Sequence, residues 1–336
     1  MPERIMPERI MIDRFNRHIN YLRVSITDWC NLRCIYCSPL DKIPKLKHED
    51  VLTYEEILRI IKIGVGLGIT KVRITGGEPL VRKGVYDFLA RVTQIEKLRD
   101  VCLTTNGILL ADHLDEIKNA GIKRLNISLD TLNRKKFIQI TGYDKFDKVW
   151  HSIQQAHLKG FGPIKINVVA LKGINDDELI EFGKLSLVYP FHIRFIEYMP
   201  IGNSQVDSTR HLLTPEIKER LGQINKLIPL NIKTSRDGPA ERYKFLNAPG
   251  EIGFISALSH HFCSNCNRLR LTAAGRLRAC LLSDHEEDIK IALRRGGSDA
   301  HLASIFLKAV RHKGIEHTIS PGQTSKIKQQ MTGIGG

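Results

Sequence analysis

Apolar residues recur with two different periods up to about residue 200 of the chain. Short runs with apolar side chains at every second position, or continuously, predict strands: Leu22–Thr27, Lys71–Thr75, Val101–Thr105, Arg124–Leu129, Ile164–Leu171 and Ile193–Ile196. Longer segments with apolar residues three and four positions apart predict helices: Tyr54–Leu67, Val85–Glu96, Ala111–Ala120, Lys148–Lys159 and Asp176–Leu187. A helix in each gap between strands is typical of parallel β/α folds, either a complete or partial barrel or an open doubly wound sheet.

The regular alternation ends after about Pro200. Residues 201–250 have one predicted helix, Pro215–Leu221, and turn signals at 237–239 and 249–250. We therefore divide the chain into a disordered N-terminal extension, a β/α core, a C-terminal region and a flexible tail that ends in Gly-Gly. These parts are residues 1–12, which contain the pentapeptide MPERI twice, 13–200, 201–320 and 321–336.

Polar residues stand at or near the C-terminal end of every predicted strand, and the fifth and sixth strands also carry them nearer their starts. They are Thr27, Asp28, Thr75, Glu78, Thr104, Asn106, Ser128, Asp130, Lys165, Asn167, Arg194 and Glu197. The C-terminal ends of parallel strands form the active face of β/α barrels. Capping of the following helices explains single positions of this kind, but it is a weak explanation for all six strand ends together.

Six of the seven cysteines fall into two triplets. Cys30, Cys34 and Cys37 have the spacing Cys-x3-Cys-x2-Cys directly after the first predicted strand. Three thiolates can hold three irons of a [4Fe–4S] cluster, which leaves the fourth iron open to a small ligand. Clustered cysteines in a chain without a secretory signal are typical of metal ligands in a reducing compartment, so we expect a cytoplasmic protein.

The second triplet is Cys263, Cys266 and Cys280, and it also has no fourth cysteine nearby. One interpretation is a zinc site of three cysteines and one histidine, with His260 or His261 as the fourth ligand. The other is a second Fe–S cluster with an open iron. Cys102 stands alone in a predicted strand and is interpreted as a small buried apolar residue.

Composition and charge limit the classes of protein to which the chain can belong and the kinds of partner that it can bind. The hydrophobic content of 42% and charged content of 26% are typical of globular proteins. No apolar run approaches the length of about 18 residues that a transmembrane helix needs. The net charge of +15 favours an anionic partner, such as a polyphosphate, nucleic acid or an anionic surface.

Several segments together resemble one family. Residues 30–37 resemble the signature of the radical S-adenosylmethionine (SAM) superfamily, and Gly76-Gly77-Glu78-Pro79 resembles its methionine-binding turn. Glycines at such a turn let the backbone approach a ligand closely. Residues 21–28, 73–80, 194–197 and 331–336, and the second triplet with Arg268 and Arg270, resemble the GTP 3′,8-cyclase family within that superfamily.

This resemblance implies a partial (β/α)6 TIM-like barrel and an irregular C-terminal region that carries a second Fe–S cluster. It implies a lyase that cyclises GTP to (8S)-3′,8-cyclo-7,8-dihydroguanosine 5′-triphosphate, the first step of molybdenum cofactor (molybdopterin) biosynthesis. The implied cofactors are two [4Fe–4S] clusters and SAM. The implied partners are GTP, an external one-electron donor and the downstream pterin-forming enzyme. A homodimer is compatible with the sequence, and we expect no nucleic acid or membrane partner.

The resemblance also implies roles for individual residues. Cys30, Cys34 and Cys37 would hold the cluster that binds SAM, and Cys263, Cys266 and Cys280 the cluster that meets the guanine base. The implied SAM contacts are Tyr36, Gly77, Ser128 and Met199. The implied GTP contacts are Arg23, Arg73, Thr104, Lys165, Arg268 and Arg270. The implied catalytic residues are Arg23, Arg268, Arg270, Gly335 and Gly336. Ser38 departs from the family pattern, which has an apolar residue after the third cysteine.

In the mechanism that the resemblance implies, a 5′-deoxyadenosyl radical removes the C3′ hydrogen of GTP, and the C3′ radical then attacks C8 of guanine. Two other functions stay open at this point. Another radical SAM enzyme with an auxiliary cluster, acting on a peptide or another substrate, would share the first triplet but would not need the arginines or the Gly-Gly tail. A zinc-stabilised nucleic-acid-binding protein would fit the net charge, but the chain has no basic stripe interleaved with aromatic residues.

Overall fold

Strands and helices alternate through the first part of the structure, a computed structural model that describes residues 10–38, 45–230, 238–320, 322 and 327–335. The elements are β1 (Tyr21–Ser25), α1 (Tyr54–Gly66), β2 (Lys71–Thr75), α2 (Val85–Thr93), β3 (Asp100–Thr105), α3 (Leu114–Asn119), β4 (Leu125–Ser128), α4 (Arg134–Thr141), α5 (Phe146–Leu158), β5 (Ile164–Ala170), α6 (Leu179–Val188) and β6 (His192–Glu197). The six predicted strands and the helices between them are confirmed. Helix α4 was not predicted.

The C-terminal region is more regular than we expected from the sequence. It contains α7 (Thr214–Gly222), β7 (Leu227–Pro229), β8 (Glu241–Phe245), β9 (Glu251–Ile255), β10 (Arg268–Leu271), β11 (Arg276–Arg278), β12 (Glu286–Asp288), α8 (Ile289–Arg294), α9 (Asp299–Arg311) and α10 (Met331–Ile334). The expectation of an irregular region is therefore corrected. Its strands are only three to five residues long, so periodicity could not reveal them.

All of these strands belong to one sheet, in the order β12-β11-β10-β1-β2-β3-β4-β5-β6-β9-β8-β7. Strand β10 pairs in parallel with β1, and β9 pairs in parallel with β6. The parallel part of the sheet therefore has eight strands in the described chain, two of them from the C-terminal region. Ile255 of β9 and Arg268 of β10 line the same cavity, so the sheet curves into the expected partial barrel.

Helices cover the outside of this sheet with their apolar faces. Helix α1 buries Ile57, Ile60 and Ile61 in the main core. It begins at Thr53, whose side chain accepts a hydrogen bond from the N–H of Glu56, while the Glu56 carboxylate accepts one from the N–H of Thr53. This reciprocal pair satisfies two backbone donors that a helix start leaves open. No helix within the described ranges is long and apolar enough to cross a membrane.

Both described ends of the chain pack against the barrel. Met11 is buried, and its N–H donates to the carbonyl of Leu67, so this residue of the expected N-terminal extension packs into the core. Helix α10 buries Thr332 and Ile334, so residues 331–334 of the expected flexible tail are folded onto the barrel. Residues 1–9 and Gly336 lie outside the described residues.

The glycine turn after β2 lies directly against the segment that leads into Cys30. The N–H of Gly77 donates to the carbonyl of Thr27 at 2.7 Å, and the N–H of Glu78 donates to the carbonyl of Trp29 at 2.7 Å. A Cβ atom on Gly77 would overlap with the Trp29 carbonyl group. Glycine is therefore required here by the close approach of two backbone segments.

Replacing this glycine should destabilise the fold. We expect Gly77→Ala to lower the free energy of unfolding by about 2–3 kcal/mol, because an overlap with backbone atoms cannot be relieved by rotating a side chain. Urea denaturation of the reduced, metal-free protein measures this change. The matched control is Gly66→Ala at the end of α1, where a Cβ meets no heavy atom within 4 Å and should leave stability unchanged or slightly higher. Equal midpoints for Gly77→Ala and the wild type would contradict the packing argument.

Candidate functional site

Both cysteine triplets line one cavity inside the curved sheet. Cys30, Cys34 and Cys37 lie in the loop after β1, at the C-terminal edge of the parallel strands. The second triplet comes from the C-terminal region of the chain. Cys263 and Cys266 lie before β10, and Cys280 lies after β11. All of these cysteines, and Cys102, are free thiols. The parallel pairing of β10 with β1 is what brings the two triplets together.

The spacing of the sulfur atoms indicates what each triplet can hold. Zinc binds thiolates at about 2.3 Å, so sulfurs that share one ion lie about 4 Å apart. Within the described ranges, the groups of three or more ligand atoms that all lie within 4.8 Å of one another include neither triplet. In neither triplet, therefore, do all three sulfurs stand at the spacing of ligands around one zinc ion, whereas cysteine thiolates are the ligands that hold Fe–S clusters.

The first triplet has hydrogen-bond donors directed at a sulfur atom. The N–H of Leu32 donates to Cys30 Sγ at 3.4 Å, and Asn106 Nδ2 lies 3.8 Å from the same atom. Burial, with the charge of Cys30 as a smaller cause, raises the pKa of Cys37 to about 12. Donors to cluster sulfurs are among the groups that tune Fe–S centres. The residues present therefore fit such a cluster.

The second triplet has positive charge at one of its sulfurs. Although burial works in the opposite direction, the positive charges of Arg268 and Lys313 lower the pKa of Cys266 to about 6. Lys313 is buried, and its Nζ lies 3.4 Å from Cys266 Sγ while it donates to the carbonyls of Arg268 and Ala279 at 3.0 and 2.6 Å. A cation held against a thiolate fits a metal–thiolate centre. Sequence analysis missed Lys313, because nothing in the residues around it indicates that this lysine is buried.

The histidines of the zinc interpretation do not complete the second triplet. His260 is exposed, and its Nδ1 lies 3.4 Å from Ser259 Oγ. His261 forms a compact group with Cys263 and His317, but Cys266 and Cys280 are not members of it. The Cys3His arrangement is therefore not the one that the structure presents.

A layer of arginines, the arginine wall, lines the cavity that both triplets share. The strand register places Arg270 of β10, Arg23 of β1 and Arg73 of β2 side by side. Neighbouring strands are about 4.8 Å apart, so Arg23 is repelled by the charges of Arg73 and Arg270 on either side. Although burial works in the opposite direction, Tyr21 and Cys102 raise the pKa of Arg73. Burial, together with the charges of Arg73 and Arg268, lowers the pKa of Arg23 to about 10.

Positive side chains outnumber negative ones around the whole cavity. The described residues that line it include five arginines and one carboxylate, Asp130. Burial, together with the charge of Arg73, lowers the pKa of Arg194 to about 10. Arg194 lies in one of the segments that resemble the family, but the resemblance implies no role for it. An anionic ligand would reduce the repulsion within this wall, and guanidinium groups bind phosphate oxygens in pairs.

Lys165 lies deeper in the barrel than the sequence analysis implied. It stands on β5 two residues before Asn167, and it pairs in register with Asn126 and His192. It is buried but is not among the residues that line the cavity. Burial, with the positive charges of Arg194 and Arg124 as the next causes, lowers its pKa to about 6. The free protein therefore holds Lys165 mostly neutral above that pH.

The four residues expected to contact SAM all line the cavity: Tyr36, Gly77, Ser128 and Met199. The Tyr36 hydroxyl donates to Asp130 Oδ2 at 2.6 Å, and Asp130 Oδ1 accepts from the N–H of Val169 at 2.8 Å. Burial raises the pKa of Asp130 to about 6. This contact, which sequence analysis missed, fixes the tyrosine ring beside the third cysteine. Ser38, the departure from the family pattern, is buried next to it.

Two more polar groups hold the strand ends around the cavity. Glu78 is buried and accepts hydrogen bonds from the N–H of Leu80, the Thr105 hydroxyl and the N–H of Asn106 at 3.0, 2.8 and 2.6 Å. It therefore ties the glycine turn to the end of β3. Thr104 also lines the cavity, and its buried Oγ1 has no hydrogen-bond partner among the residues that the structure describes. A buried hydroxyl of this kind is suited to a polar ligand.

The C-terminal tail reaches the arginine layer. The carbonyl of Gly335 accepts a hydrogen bond from Arg270 Nη1 at 2.5 Å. Gly335 has a φ of +86°, and a Cβ atom there would lie 2.7 Å from Thr75 Cγ2. Met331 and Thr332 of α10 line the cavity. The tail thus contributes to the site, and Gly336, the last predicted site residue, lies outside the described residues.

Two family models match the chain. The model described as Radical SAM superfamily matches residues 24–185, which contain the first triplet and the glycine turn. The model described as Molybdenum Cofactor Synthesis C matches residues 191–319, which contain the second triplet. The boundary between the two matches falls close to the end of the predicted β/α core.

Curated relatives match over nearly the full length. The GTP 3′,8-cyclase of Thermodesulfovibrio yellowstonii is 49% identical over 331 residues, which cover 97% of this chain and 100% of the relative. The GTP 3′,8-cyclases of Heliobacterium modesticaldum and Desulforamulus reducens are 47% and 45% identical, with the same shares of each chain covered.

Solved structures share the fold at much lower identity. The crystal structure of Streptococcus suis SuiB bound to S-adenosylmethionine has a TM-score of 0.59 and 16% identity, and the match covers 87% of this chain and 69% of that one. SuiB bound to the precursor peptide SuiA has a TM-score of 0.60 and 14% identity, with 94% and 78% covered. These structures support the architecture, and the full-length relatives support the family. The chain belongs to the GTP 3′,8-cyclase family of the radical SAM superfamily.

Proposed function

We propose that this protein cyclises GTP to (8S)-3′,8-cyclo-7,8-dihydroguanosine 5′-triphosphate, the first step of molybdenum cofactor biosynthesis. The observation that carries the proposal is a single cavity lined by both cysteine triplets and by five arginines. One triplet serves the radical chemistry of the superfamily, and the arginines supply the charge that a triphosphate needs. The proposed setting is the cytoplasm, where thiols stay reduced.

The first triplet and the strand ends around it form the proposed SAM site. Cys30, Cys34 and Cys37 hold an Fe–S cluster, and this cluster, when bound, supplies the electron that turns SAM into a source of a carbon radical. The donors at Leu32 and Asn106 stabilise the cysteine sulfur. Contacts to SAM are assigned to residues from four different strand ends or loops: Tyr36, Gly77, Ser128 and Met199.

The arginine layer forms the proposed triphosphate site. Three adjacent strands contribute the arginines Arg23, Arg73, Arg268 and Arg270. Their guanidinium groups can therefore bind several phosphate oxygens at once. A bound triphosphate would offset both the burial and the repulsion that together lower the pKa of Arg23. Thr104 offers a hydroxyl from β3, the strand next to β2, and Lys165 would add positive charge from its buried position on β5 once a triphosphate is bound.

The second triplet forms the proposed base site. We assign Cys263, Cys266 and Cys280 to a second [4Fe–4S] cluster that meets the guanine base. Arg268 follows Cys266 by two residues, which places a phosphate-binding group directly beside this cluster. The protein would thereby fix the sugar between the source of the radical and the base that the C3′ radical attacks, and holding reactants in such an arrangement is a large part of catalysis. The remaining proposed partners are an external one-electron donor and the downstream pterin-forming enzyme.

An anaerobic assay with GTP deuterated at C3′ tests the function. With SAM and dithionite, we expect 5′-deoxyadenosine that carries deuterium, a cyclised nucleotide product, and about eight irons and eight sulfides per chain. Cys30→Ser should abolish both products and remove about half of the iron. Cys102→Ala, which changes a cysteine outside both triplets, should keep them. Zinc without sulfide, or SAM cleavage that does not depend on GTP, would overturn the proposal.

The depressed pKa of Lys165 predicts that GTP binding takes up a proton. With a pKa of about 6 the lysine is neutral in the free protein at about pH 7.5, and a nearby triphosphate raises that pKa so that the ammonium form is bound. Affinity should therefore fall as pH rises, by up to about tenfold per unit. Calorimetry in buffers of different ionisation enthalpy measures the uptake. Lys165→Met should lose it, whereas the same uptake in both proteins would show that another group titrates.

The contact between Gly335 and Arg270 predicts a role for the tail in catalysis. Deleting Gly335 and Gly336 removes the carbonyl that accepts from Arg270 Nη1, so we expect kcat for cyclisation to fall by about 100-fold or more, the scale of losing one group that positions the reactants. Iron content should be unchanged. Gly333→Ala is the control, because a Cβ there meets no heavy atom within 4 Å. An active truncated protein would show that the tail is dispensable.

A further inference from the structure

Three side chains on the outer side of the C-terminal region direct ligand atoms at one another. His285 lies just before β12, Glu287 lies within β12, and His312 directly follows α9. His285 Nε2 is 2.8 Å from His312 Nδ1 and 3.2 Å from Glu287 Oε1, and His312 Nδ1 is 3.0 Å from the same oxygen. None of the three lines the cavity of the cysteine triplets.

The size of this triangle fits one metal ion. Zinc binds imidazole nitrogens at about 2.0–2.1 Å and carboxylate oxygens at about 2.0–2.2 Å, so ligand atoms around it lie about 3 Å apart. The three observed distances, 2.8 to 3.2 Å, are close to that value. In neither cysteine triplet of the described residues do all three ligand atoms lie this close together.

Hydrogen bonds alone do not satisfy the three atoms well. If both imidazoles donate to Glu287 Oε1, their two N–H groups face each other across 2.8 Å. A cation at the centre of the triangle lets both nitrogens and the oxygen present lone pairs, which is how neutral imidazole and carboxylate groups bind metals.

The surroundings keep the carboxylate in place and charged. The side chain of Glu287 is only 9% exposed, and Glu287 pairs in register with Leu277 of β11. Lys308 Nζ contacts the second oxygen, Oε2, at 2.9 Å, which leaves Oε1 for the ion. The side chains of His285 and His312 are 50% and 43% exposed, so an ion and a water ligand can enter from solvent.

We propose that His285, Glu287 and His312 form a binding site for a divalent transition-metal ion, with Zn²⁺ as the ion whose ligand preference fits best. Two histidines and one glutamate are a ligand set that zinc uses when a fourth position is left to water. The ion would join β12 to the C-terminal end of α9. Lys313, the residue after His312, contacts Cys266, so the ion would also fix the end of the helix that holds this lysine.

The test uses cluster-loaded protein under anaerobic conditions, so that the six triplet cysteines are occupied. Equilibrium dialysis against buffered Zn²⁺, followed by metal analysis, counts zinc and iron in the same sample. We expect one zinc per chain in the wild type at constant iron. His285→Gln and His312→Gln should each weaken binding by about tenfold or more. His151→Gln, at an exposed histidine on α5, should bind as the wild type does.

Thermal unfolding gives a second measurement that does not depend on counting metal. Zn²⁺ should raise the Tm of the wild type and of His151→Gln, because an ion that binds only the folded state stabilises it, and should not raise the Tm of His285→Gln or His312→Gln. Unchanged iron content and circular dichroism show that these variants are folded. The proposal is overturned if the wild type binds no zinc, or if all four proteins bind it equally and gain the same Tm.

Discussion

Buried positive charge inside the barrel is the constraint on which the site depends. Arg270, Arg23 and Arg73 lie side by side because their strands are paired in register. Charges of one sign held this close in a poorly hydrated interior destabilise the fold unless something compensates them. The lining of the cavity offers Asp130 as its one carboxylate within the described residues. The arrangement is therefore suited to an anionic ligand, and a triphosphate has the necessary charge and the oxygen atoms.

The same strand pairing explains why the C-terminal region cannot be separated from the core. Strand β10 supplies Arg268 and Arg270, and it is parallel to β1. Cys266 precedes this strand by two residues, and Lys313 is held between the carbonyl groups of Arg268 and Ala279. The positions of Cys266, of Arg268 and Arg270, and of Lys313 are therefore set by one strand. A change that displaced β10 would affect all of them together.

Much of the fold and part of the candidate site could be predicted from the sequence. The other features depend on contacts between distant residues, which leave no local pattern in the sequence. Periodicity identified six strands, and the cysteine spacing and the glycine turn identified one side of the site. Helix α4 was missed because Arg134–Thr141 has only two fully buried apolar side chains, Phe137 and Ile140. The pairing of β10 with β1 joins residues almost 250 positions apart, and periodicity contains no information on such pairing. Lys313 was missed for the same reason, because only the folded chain places it at Cys266.

The central claim is that the arginine wall holds the substrate through its phosphates. The most direct measurement compares the affinities of GTP, GDP, GMP and guanosine for the cluster-loaded protein by anaerobic calorimetry. We expect weaker binding with each phosphate removed, with a total loss of at least about 100-fold from GTP to guanosine, since each charge-assisted hydrogen bond contributes about 1.5–3 kcal/mol. Guanosine that binds as tightly as GTP would contradict a role of the arginine wall in binding the phosphates.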